Sequence, residues 1–364
     1  MPETNETSII KVLIPIAILL LVVIGLIFWL NPFNFKFGTS TASAPESKIP
    51  PFNPTTLTWA KVATTSPWAT RDSQEVYEFN GKLWLAGGLD ANQAPGAGTV
   101  NVDYEQAKYF NDIWSTTDGE NWTLETEHAA FPPIRSQSIT YFKDALYMVG
   151  GWSPQNGYQN GIWRSTDGKN WEQFVKTPAF EPREGQKIKV WNGRLYMIGG
   201  VNYFSHKTFN DVWVSDDAKT WTEVTAHAPW HSRWDFDMDI YNNKLYLASG
   251  MSDITTGYDD VWSTVDGKDW VEEATSTPWG TKQGEGLIVY KNYLWFVGGL
   301  LTKENTGDGA TWYTSDGANW QKTATNTPAL AREDHSVIVW HDKIWVIAGM
   351  RNDWHWYNDV WFTK

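Results

Sequence analysis

The sequence predicts an all-β fold, a six-bladed β-propeller of four-stranded antiparallel blades closed by an N-terminal strand and preceded by one transmembrane helix. Three observations lead to the propeller: a motif that recurs roughly every 49–50 residues, a hairpin signal inside each repeat, and a last repeat that stops early. Fixed periods of this size are typical of solenoids, propellers and repeat arrays. Four antiparallel strands in each repeat favour the propeller over a solenoid.

The recurring motif is a Trp, an Asp-Gly turn and a second Trp. Its first copy runs from Asn111 to Trp122 and includes Trp114 and the turn Asp118-Gly119. Further copies occupy residues 161–171, 210–221, 259–270 and 309–320, and a sixth begins at Asn358. A turn between two short β-prone runs predicts that the motif forms the third and fourth strands of each unit.

Each unit opens with a basic residue, followed by two strands. The six residues are Arg71, Arg135, Arg183, Arg233, Lys282 and Arg332. An apolar run comes next, then a polar turn such as Asn192-Gly193, then a second run that ends in two small residues such as Gly199-Gly200. This pattern predicts the first hairpin of each blade.

The two ends of the repeat region predict how the ring closes. The sixth unit ends after its third strand, at Trp361 to Lys364, and a strand-like segment from Leu57 to Val62 precedes the first unit. If that segment supplies the missing fourth strand, the ring has six complete blades and no free sheet edge. The propeller is therefore assigned to residues 55–364.

The blade order of Arg, paired small residues and Trp resembles the kelch repeat of galactose-oxidase-like propellers. The turns at Thr116, Ser165, Thr264 and Thr314, which read Ser/Thr-x-Asp-Gly-x-x-Trp, also resemble the Asp-box of sialidase-type propellers. The third copy departs from this pattern, because it reads Ser215-Asp216-Asp217-Ala218. Both resemblances imply a propeller, but a fold shared by many functions does not identify one.

Composition excludes several classes of function. The chain of 364 residues has no cysteine, which rules out disulfides, thiol chemistry and the Cys–Tyr cofactor of the copper-radical oxidases. Its net charge of −13 argues against a nucleic-acid partner, because phosphate contacts require clustered Lys and Arg. Neither a zinc-ligand spacing nor a glycine-rich phosphate loop is present in the sequence, and no cofactor is expected.

Residues 12–30 form an uncharged, apolar run close to the ~20 residues that a helix needs to cross a bilayer. We expect a signal anchor between a tail at 1–11 and a Pro/Ser/Thr-rich linker at 31–54. A cleaved signal peptide is the alternative, although its apolar core usually spans only ~7–15 residues. The prediction is a single-pass protein of the cell membrane with an extracytoplasmic propeller.

The loops between second and third strands share one face with the crossings between blades. These loops vary in length and sequence, and loops on a rigid scaffold commonly carry function. Tryptophans accumulate on this face or at its edge, including three at blade junctions, Trp68, Trp230 and Trp279, whose alternative role is to cap blades. The candidate ligand-binding side chains of the loops are Trp152, Tyr203, Trp234, Trp354, His355 and Trp356.

The basic residues that open the units are candidates for binding a carboxylate near the central channel, since Arg binds carboxylates bidentately. The alternative is that Arg71, Arg135, Arg183, Arg233 and Arg332 make structural hydrogen bonds between blades. The residues three positions later are Gln74, Ser138, Gln186, Phe236, Glu285 and His335. Of these, Glu285 and His335 are the acid–base candidates, with a packing role as the alternative for His335.

In blade 4, Asp235, Asp237 and Asp239 alternate along one strand. They are candidate ligands for a hard cation such as Ca²⁺, or rim residues with partial pairing. The favoured hypothesis is a membrane-tethered propeller that binds a glycan or a cell-surface protein through its loop-rich face. The rivals are a sugar-active enzyme, either an epimerase or mutarotase like the kelch-type sialic-acid epimerases or a glycoside hydrolase, and a non-catalytic envelope scaffold.

Overall fold

The computed structural model describes residues 51–62 and 65–364, and residues 52–364 form one compact unit. The predicted anchor at 12–30 and most of the predicted linker lie outside the described residues. Within the described part of the chain, no helix is long and apolar enough to span a bilayer.

Six four-stranded antiparallel sheets confirm the predicted all-β propeller. The strands of blades 1 to 3, from the channel outward, are Glu75–Phe79, Lys82–Ala86, Ile113–Thr116 and Trp122–Thr126; Ser138–Phe142, Ala145–Val149, Ile162–Ser165 and Glu172–Val175; and Lys187–Trp191, Arg194–Ile198, Val212–Ser215 and Trp221–Thr225. Those of blades 4 to 6 are Asp237–Tyr241, Lys244–Ala248, Val261–Thr264 and Trp270–Ala274; Lys282–Tyr290, Tyr293–Leu301, Thr311–Thr314 and Gln321–Lys322; and Ser336–Trp340, Lys343–Ile347, Val360–Thr363 and Trp59–Lys61.

The closure of the ring is also confirmed. Trp59–Lys61 pairs antiparallel with Val360–Thr363, with Trp59 opposite Thr363 and Lys61 opposite Trp361. The N–H of Lys364 donates to the Thr58 carbonyl at 3.0 Å, which extends the pairing by one step. The first strand in the chain thus covers the edge that the last strand would otherwise expose.

On the loop-rich face, short ladders extend the blades above the channel. They join Leu89–Asp90 to Lys108–Tyr109, Trp152–Ser153 to Gly157–Tyr158, Val201–Asn202 to Lys207–Thr208, Met251–Asp253 to Thr256–Gly257, and Arg332–Glu333 to Met350–Arg351. In blade 5 the long first and second strands pair with each other up to this face, as Arg332–Glu333 and Met350–Arg351 do in blade 6. Short 3-10 helices complete the described elements: Pro54–Thr56, Tyr104–Gln106, Tyr203–Ser205 and Pro328–Leu330.

The core lies between blades and is rich in aromatic side chains. Each junction aromatic packs edge-on against the outer-strand Trp of the blade it precedes, as Trp230 does against Trp270 with ring centroids 5.7 Å apart. Trp68 and Trp279 make the corresponding contacts with Trp122 and Trp320. The three junction tryptophans are buried, so they cap the blades as their alternative interpretation proposed.

The Asp-Gly turns on the opposite face are built alike. In the first, the Thr116 hydroxyl accepts from the Gly119 N–H at 3.0 Å, and Asp118 accepts from the N–H groups of Glu120 and Asn121 at 2.8 Å. Hydrogen bonds from Asn121 lower the pKa of Asp118. A Cβ on Gly119 would lie 2.3 Å from the Trp345 ring of blade 6, so the turn also fixes the fit between blades. We therefore assign these turns to architecture.

Candidate ligand site at the channel mouth

A collar of six residues surrounds the entrance to the central channel, one from each blade. Each adopts a positive φ between 52° and 66°. Its members are Ser73, Ser136, Gly185, Asp235, Gly284 and Asp334. Five inter-blade hydrogen bonds link neighbours in this collar, for example from the Ser136 N–H to the Ser73 carbonyl at 2.9 Å. Below the collar, the channel encloses a cavity of about 380 Å³.

Backbone hydrogen bonds between blades correct the alignment of the second repeat. The Gly88 N–H donates to the carbonyl of Ile134, whereas the Gly151 N–H donates to that of Arg183. Ile134 is therefore the structural equivalent of the residue that opens each unit, and Arg135 lies one position further, beside the mouth. By the same shift, Gln137 rather than Ser138 occupies the position that Gln186 occupies in blade 3.

The remaining arginines that open the units are buried in ion pairs within their blades. Arg183 donates to both carboxyl oxygens of Asp211, at 2.6 and 2.9 Å, and to the Gly199 carbonyl at 2.9 Å. The pattern repeats for the guanidinium groups of Arg71, Arg233 and Arg332. These four side chains are at most 1% exposed. Since each charge is already neutralised, we leave them out of the proposed site, and they do not make the mouth positive.

The mouth is acidic instead. Arg135 is its central cation, and the Glu184 carboxylate accepts from its guanidinium at 2.9 and 3.2 Å. Four further carboxyl groups lie nearby and influence one another: Asp72, Asp235, Glu333 and Asp334. With five carboxyl groups and one guanidinium, the cluster carries negative charge unless protons are retained.

Burial and repulsion between like charges favour the retention of protons by carboxyl groups. Burial, and then the charge of Asp334, raise the pKa of Glu333 to about 8. The same two causes raise the pKa of Asp72 and of Asp235 well above the usual range. Asp235 and Asp334 are also close enough to hydrogen-bond through their side chains, and the Ser73 hydroxyl donates to Asp334 at 3.0 Å. The raised pKa of Glu333 thus favours retention of its proton near neutral pH.

Aromatic rings flank this charged cluster. The Arg135 guanidinium carbon lies 5.1 Å from the ring centroid of Trp152 and 5.4 Å from that of Tyr104. Trp152 in turn contacts Tyr109 and Tyr158, with centroids 5.8 and 6.0 Å apart. The arrangement gives the mouth a π-rich wall beside its polar groups.

The wall continues outward to a rim on blades 2 and 3. Phe204 packs edge-on against Tyr158 at 5.4 Å and is 74% exposed, while Tyr203 packs against Trp234 and is 39% exposed. The hydroxyl of Thr208 donates to the Ser252 carbonyl at 3.0 Å, which ties the loop of blade 3 to that of blade 4. We call Tyr158, Tyr203 and Phe204 the aromatic rim.

The long first loop and the loop of the sixth unit pack on each other. Asn92 donates to the Trp356 carbonyl at 2.9 Å and accepts from the Trp356 N–H at 3.1 Å. Trp356 is buried among the alanines of the long loop, Trp354 is half-buried there with a φ of 57°, and His355 is exposed. This contact gives the two tryptophans a packing role, so they do not lead the proposed ligand surface.

Glu285 and His335 lie one position below the collar, between blades. The His335 ring packs over Gly298 of blade 5, and burial, followed by the Arg332 charge, lowers its pKa to about 3. Burial raises the pKa of Glu285 well above the usual range. Both acid–base candidates line the channel cavity below the collar, apart from the aromatic rim.

The three acidic residues of blade 4 do not form one site. Asp235 belongs to the collar, whereas Asp237 and Asp239 accept from backbone N–H groups of blade 5 at 2.9 and 2.8 Å. The ammonium of Lys189 lies 2.8 Å from Asp239. Across the described residues, no group of His, Cys, Asp and Glu is arranged to hold a metal ion.

Sequence reasoning missed most of the mouth. Asp72, Glu184 and Glu333 each follow directly after a residue that opens a unit, and Trp234 and Gln283 hold the same position in blades 4 and 5. The residue that opens each unit is mostly Arg, whereas the next residue differs from blade to blade. That variability is the signal that would have identified these residues. Tyr104, Tyr109, Tyr158 and Phe204 were also missed, because only the fold brings their loops together.

A family model described as the DUF6242 beta propeller domain matches residues 53–364, and the chain belongs to this family. No curated protein matches the chain. The family match bears on the propeller alone, so the resemblances to the kelch repeat and to the Asp-box stay predictions.

Proposed function

We propose that this member of the DUF6242 β-propeller family binds a carbohydrate at the mouth of its central channel. One observation carries the proposal: a cluster of carboxyl groups around Arg135 lies directly beside aromatic rings that reach solvent. Sugars offer both hydroxyl groups and apolar C–H faces. Carboxylates and a guanidinium pair with the hydroxyls, and flat rings cover the C–H face.

The charge of the mouth selects among sugars. Five carboxyl groups face one guanidinium, so a carboxylate-bearing sugar meets repulsion rather than a positive pocket. We therefore expect neutral or amine-bearing sugars to bind better than uronic or sialic acids, which reverses the preference that the ring of arginines had suggested. Like charges placed together in a poorly solvated site cost several kcal/mol.

A glycan array probed with the full chain tests the proposal, with neutral, basic and acidic sugars present. Tyr203→Ala and Phe204→Ala remove exposed rings of the aromatic rim without opening a cavity in the core. We expect each to weaken binding of the best glycan at least tenfold, or about 1.4 kcal/mol. Absence of any glycan ligand, or unchanged binding by both variants, would refute the proposal.

Tyr141→Ala provides a matched control. Tyr141 is a tyrosine of similar exposure, 47% against 39% for Tyr203, but it lies in the hairpin of blade 2 at the opposite end of the channel. Binding by this variant is expected to equal that of the parent protein. If Tyr141→Ala lowers affinity as much as Tyr203→Ala, the ligand does not bind at the mouth.

The site of action is also part of the proposal. We place the propeller outside the cytoplasm on a membrane anchor at residues 12–30, on the strength of that apolar run and the linker after it. Alkaline extraction of membranes from cells that express the full chain tests the anchor, with a form lacking residues 12–30 as the control. Recovery of the full chain in the soluble fraction would exclude it.

A further inference from the structure

Four blades share an ion-pair motif in which a single carboxylate receives three donors. In blade 1, Asp112 accepts from Arg71 at 2.7 and 2.9 Å and from the indole N–H of Trp114 at 2.8 Å. The same carboxylate-centred group recurs at Asp211, Asp260 and Asp359. These three donors belong to two side chains, an Arg and a Trp. A buried donor of this kind that has no acceptor destabilises the protein.

Blade 5 keeps the donors and lacks the acceptor. Ala310 stands where the Asp stands in the four other blades, and Lys282 replaces the Arg. The Lys282 ammonium donates to the Gly298 carbonyl at 2.9 Å, which is the contact that Arg71 makes with Gly87. Among the residues that the structure describes, no carboxylate lies within ion-pair distance of Lys282 and no acceptor faces the buried indole N–H of Trp312.

Blade 2 shows a different way to lose the motif. There the carboxylate is replaced by Gly161, and the cation is lost as well, because Ile134 occupies the Arg position. A Cβ on Gly161 would lie 2.9 Å from the amide nitrogen of Gln173. Blade 2 therefore has no cation at this position, whereas blade 5 retains a buried ammonium group without an ion-pair partner among the described residues.

Open space adjoins that charge in blade 5. A cleft of about 460 Å³ is lined by Trp279, Lys282, Leu301, Asp308, Trp312 and Lys322, together with Pro278, Thr306 and Gly307. This volume lies in the usual range for small-molecule sites, and its walls are mostly apolar. Asp308 does not fill the role of the missing acceptor, because its carboxylate is held by Lys322 at 2.7 Å and by the Ala310 N–H at 3.0 Å.

The charges that line the cleft favour an anion. Two lysines face one aspartate, which leaves one positive charge uncompensated. Burial, which is the largest influence, lowers the pKa of Lys282, as expected for an ammonium without a close anionic partner. A carboxylate that enters the cleft would supply that partner.

We propose that the cleft of blade 5 binds a small organic acid, whose carboxylate takes the place of the missing Asp side chain. The carboxylate accepts from the Lys282 ammonium and from the Trp312 indole N–H, as Asp112 accepts from Arg71 and Trp114. The apolar body of the acid lies against Trp279 and Leu301. This site is separate from the channel mouth and does not depend on carbohydrate binding.

The test uses benzoate as the probe and benzamide as its neutral counterpart, with binding to the full chain followed by titration calorimetry and by thermal shift. We expect benzoate to bind at least tenfold more tightly than benzamide and to raise the melting temperature. Ala310→Asp supplies the carboxylate from the chain itself. We expect this variant to melt higher than the parent and to lose benzoate binding at least tenfold.

Ala318→Asp is the matched control, because it adds the same charge to blade 5 in the Asp-Gly turn, on the opposite face. Its benzoate affinity should equal that of the parent. Lys282→Met, if folded, should lose benzoate binding, and Lys282→Arg should retain it. Three outcomes overturn the proposal: no benzoate binding to the parent, equal affinity for benzamide, or unchanged benzoate binding by Ala310→Asp.

Discussion

Replacement of Glu285 by Gln should stabilise the propeller, because blade 5 carries a carboxyl group where three other blades carry an amide. Gln74, Gln137 and Gln186 each donate to the last carbonyl of the neighbouring blade's second strand, at 3.2, 2.9 and 2.8 Å. Glu285 is buried, and among the described residues its carboxyl oxygens have no partner beyond its own backbone N–H. The variant amide would find the corresponding acceptor in the Ala248 carbonyl of blade 4.

The magnitude of the gain follows from two contributions. A buried amide hydrogen bond contributes about 1 kcal/mol net. The second contribution depends on pH, because burial raises the pKa of Glu285 in the folded state above its usual 4.5. The folded protein then binds more protons than the unfolded chain, so the parent loses stability as pH rises from about 4.5 towards the folded-state pKa, by about 1.4 kcal/mol per pH unit. At pH 7 we expect Glu285→Gln to gain about 2 kcal/mol or more.

Chemical denaturation and calorimetry of parent and variant at pH 5, 6, 7 and 8 measure this effect. The gain should be smallest at pH 5, where the parent carboxyl is protonated and resembles the amide, and should grow with pH. At pH 7 the melting temperature should rise by about 2–4 °C for a domain of this size. A variant that is less stable than the parent at pH 7, or a gain that does not change with pH, would refute the reasoning.

Three further predictions concern the architecture. Asp260→Ala leaves the buried Arg233 guanidinium without its carboxylate, so chemical denaturation should show a free energy of unfolding lower by about 3–5 kcal/mol. A loss below about 1 kcal/mol would show that the pair is dispensable. Deletion of the strand Trp59–Lys61 opens the ring and exposes the Val360–Thr363 edge. Size-exclusion chromatography should then show association or aggregation, whereas a monomer as stable as the parent protein would contradict this closure. Phe204→Ser replaces an exposed ring and should change the free energy of unfolding by no more than about 0.5 kcal/mol, and a larger loss would assign Phe204 to the core.

The propeller was predictable from the sequence because each blade repeats the same local chemistry. The turn at Asp118-Gly119, the hairpin at Asn192-Gly193 and the strand before the first unit are all read from neighbouring residues, and the structure confirms the blades they define. Alignment failed in one unit, where Arg135 was taken for the residue that opens the blade. A basic side chain is visible in a sequence, but only the hydrogen bond from the Gly88 N–H shows that Ile134, and not Arg135, is equivalent to the residue that opens the other units.

The candidate sites depended on tertiary structure for a physical reason. Whether an arginine binds a ligand or a neighbouring Asp depends on distances between residues far apart in the chain, as between Arg183 and Asp211. The mouth likewise combines side chains from several blades, so its acidity cannot be read from any one repeat. The sequence by itself determined the fold, since periodicity and turn chemistry are local. Only the tertiary structure decided which charges are neutralised inside the blades and which remain to meet a ligand.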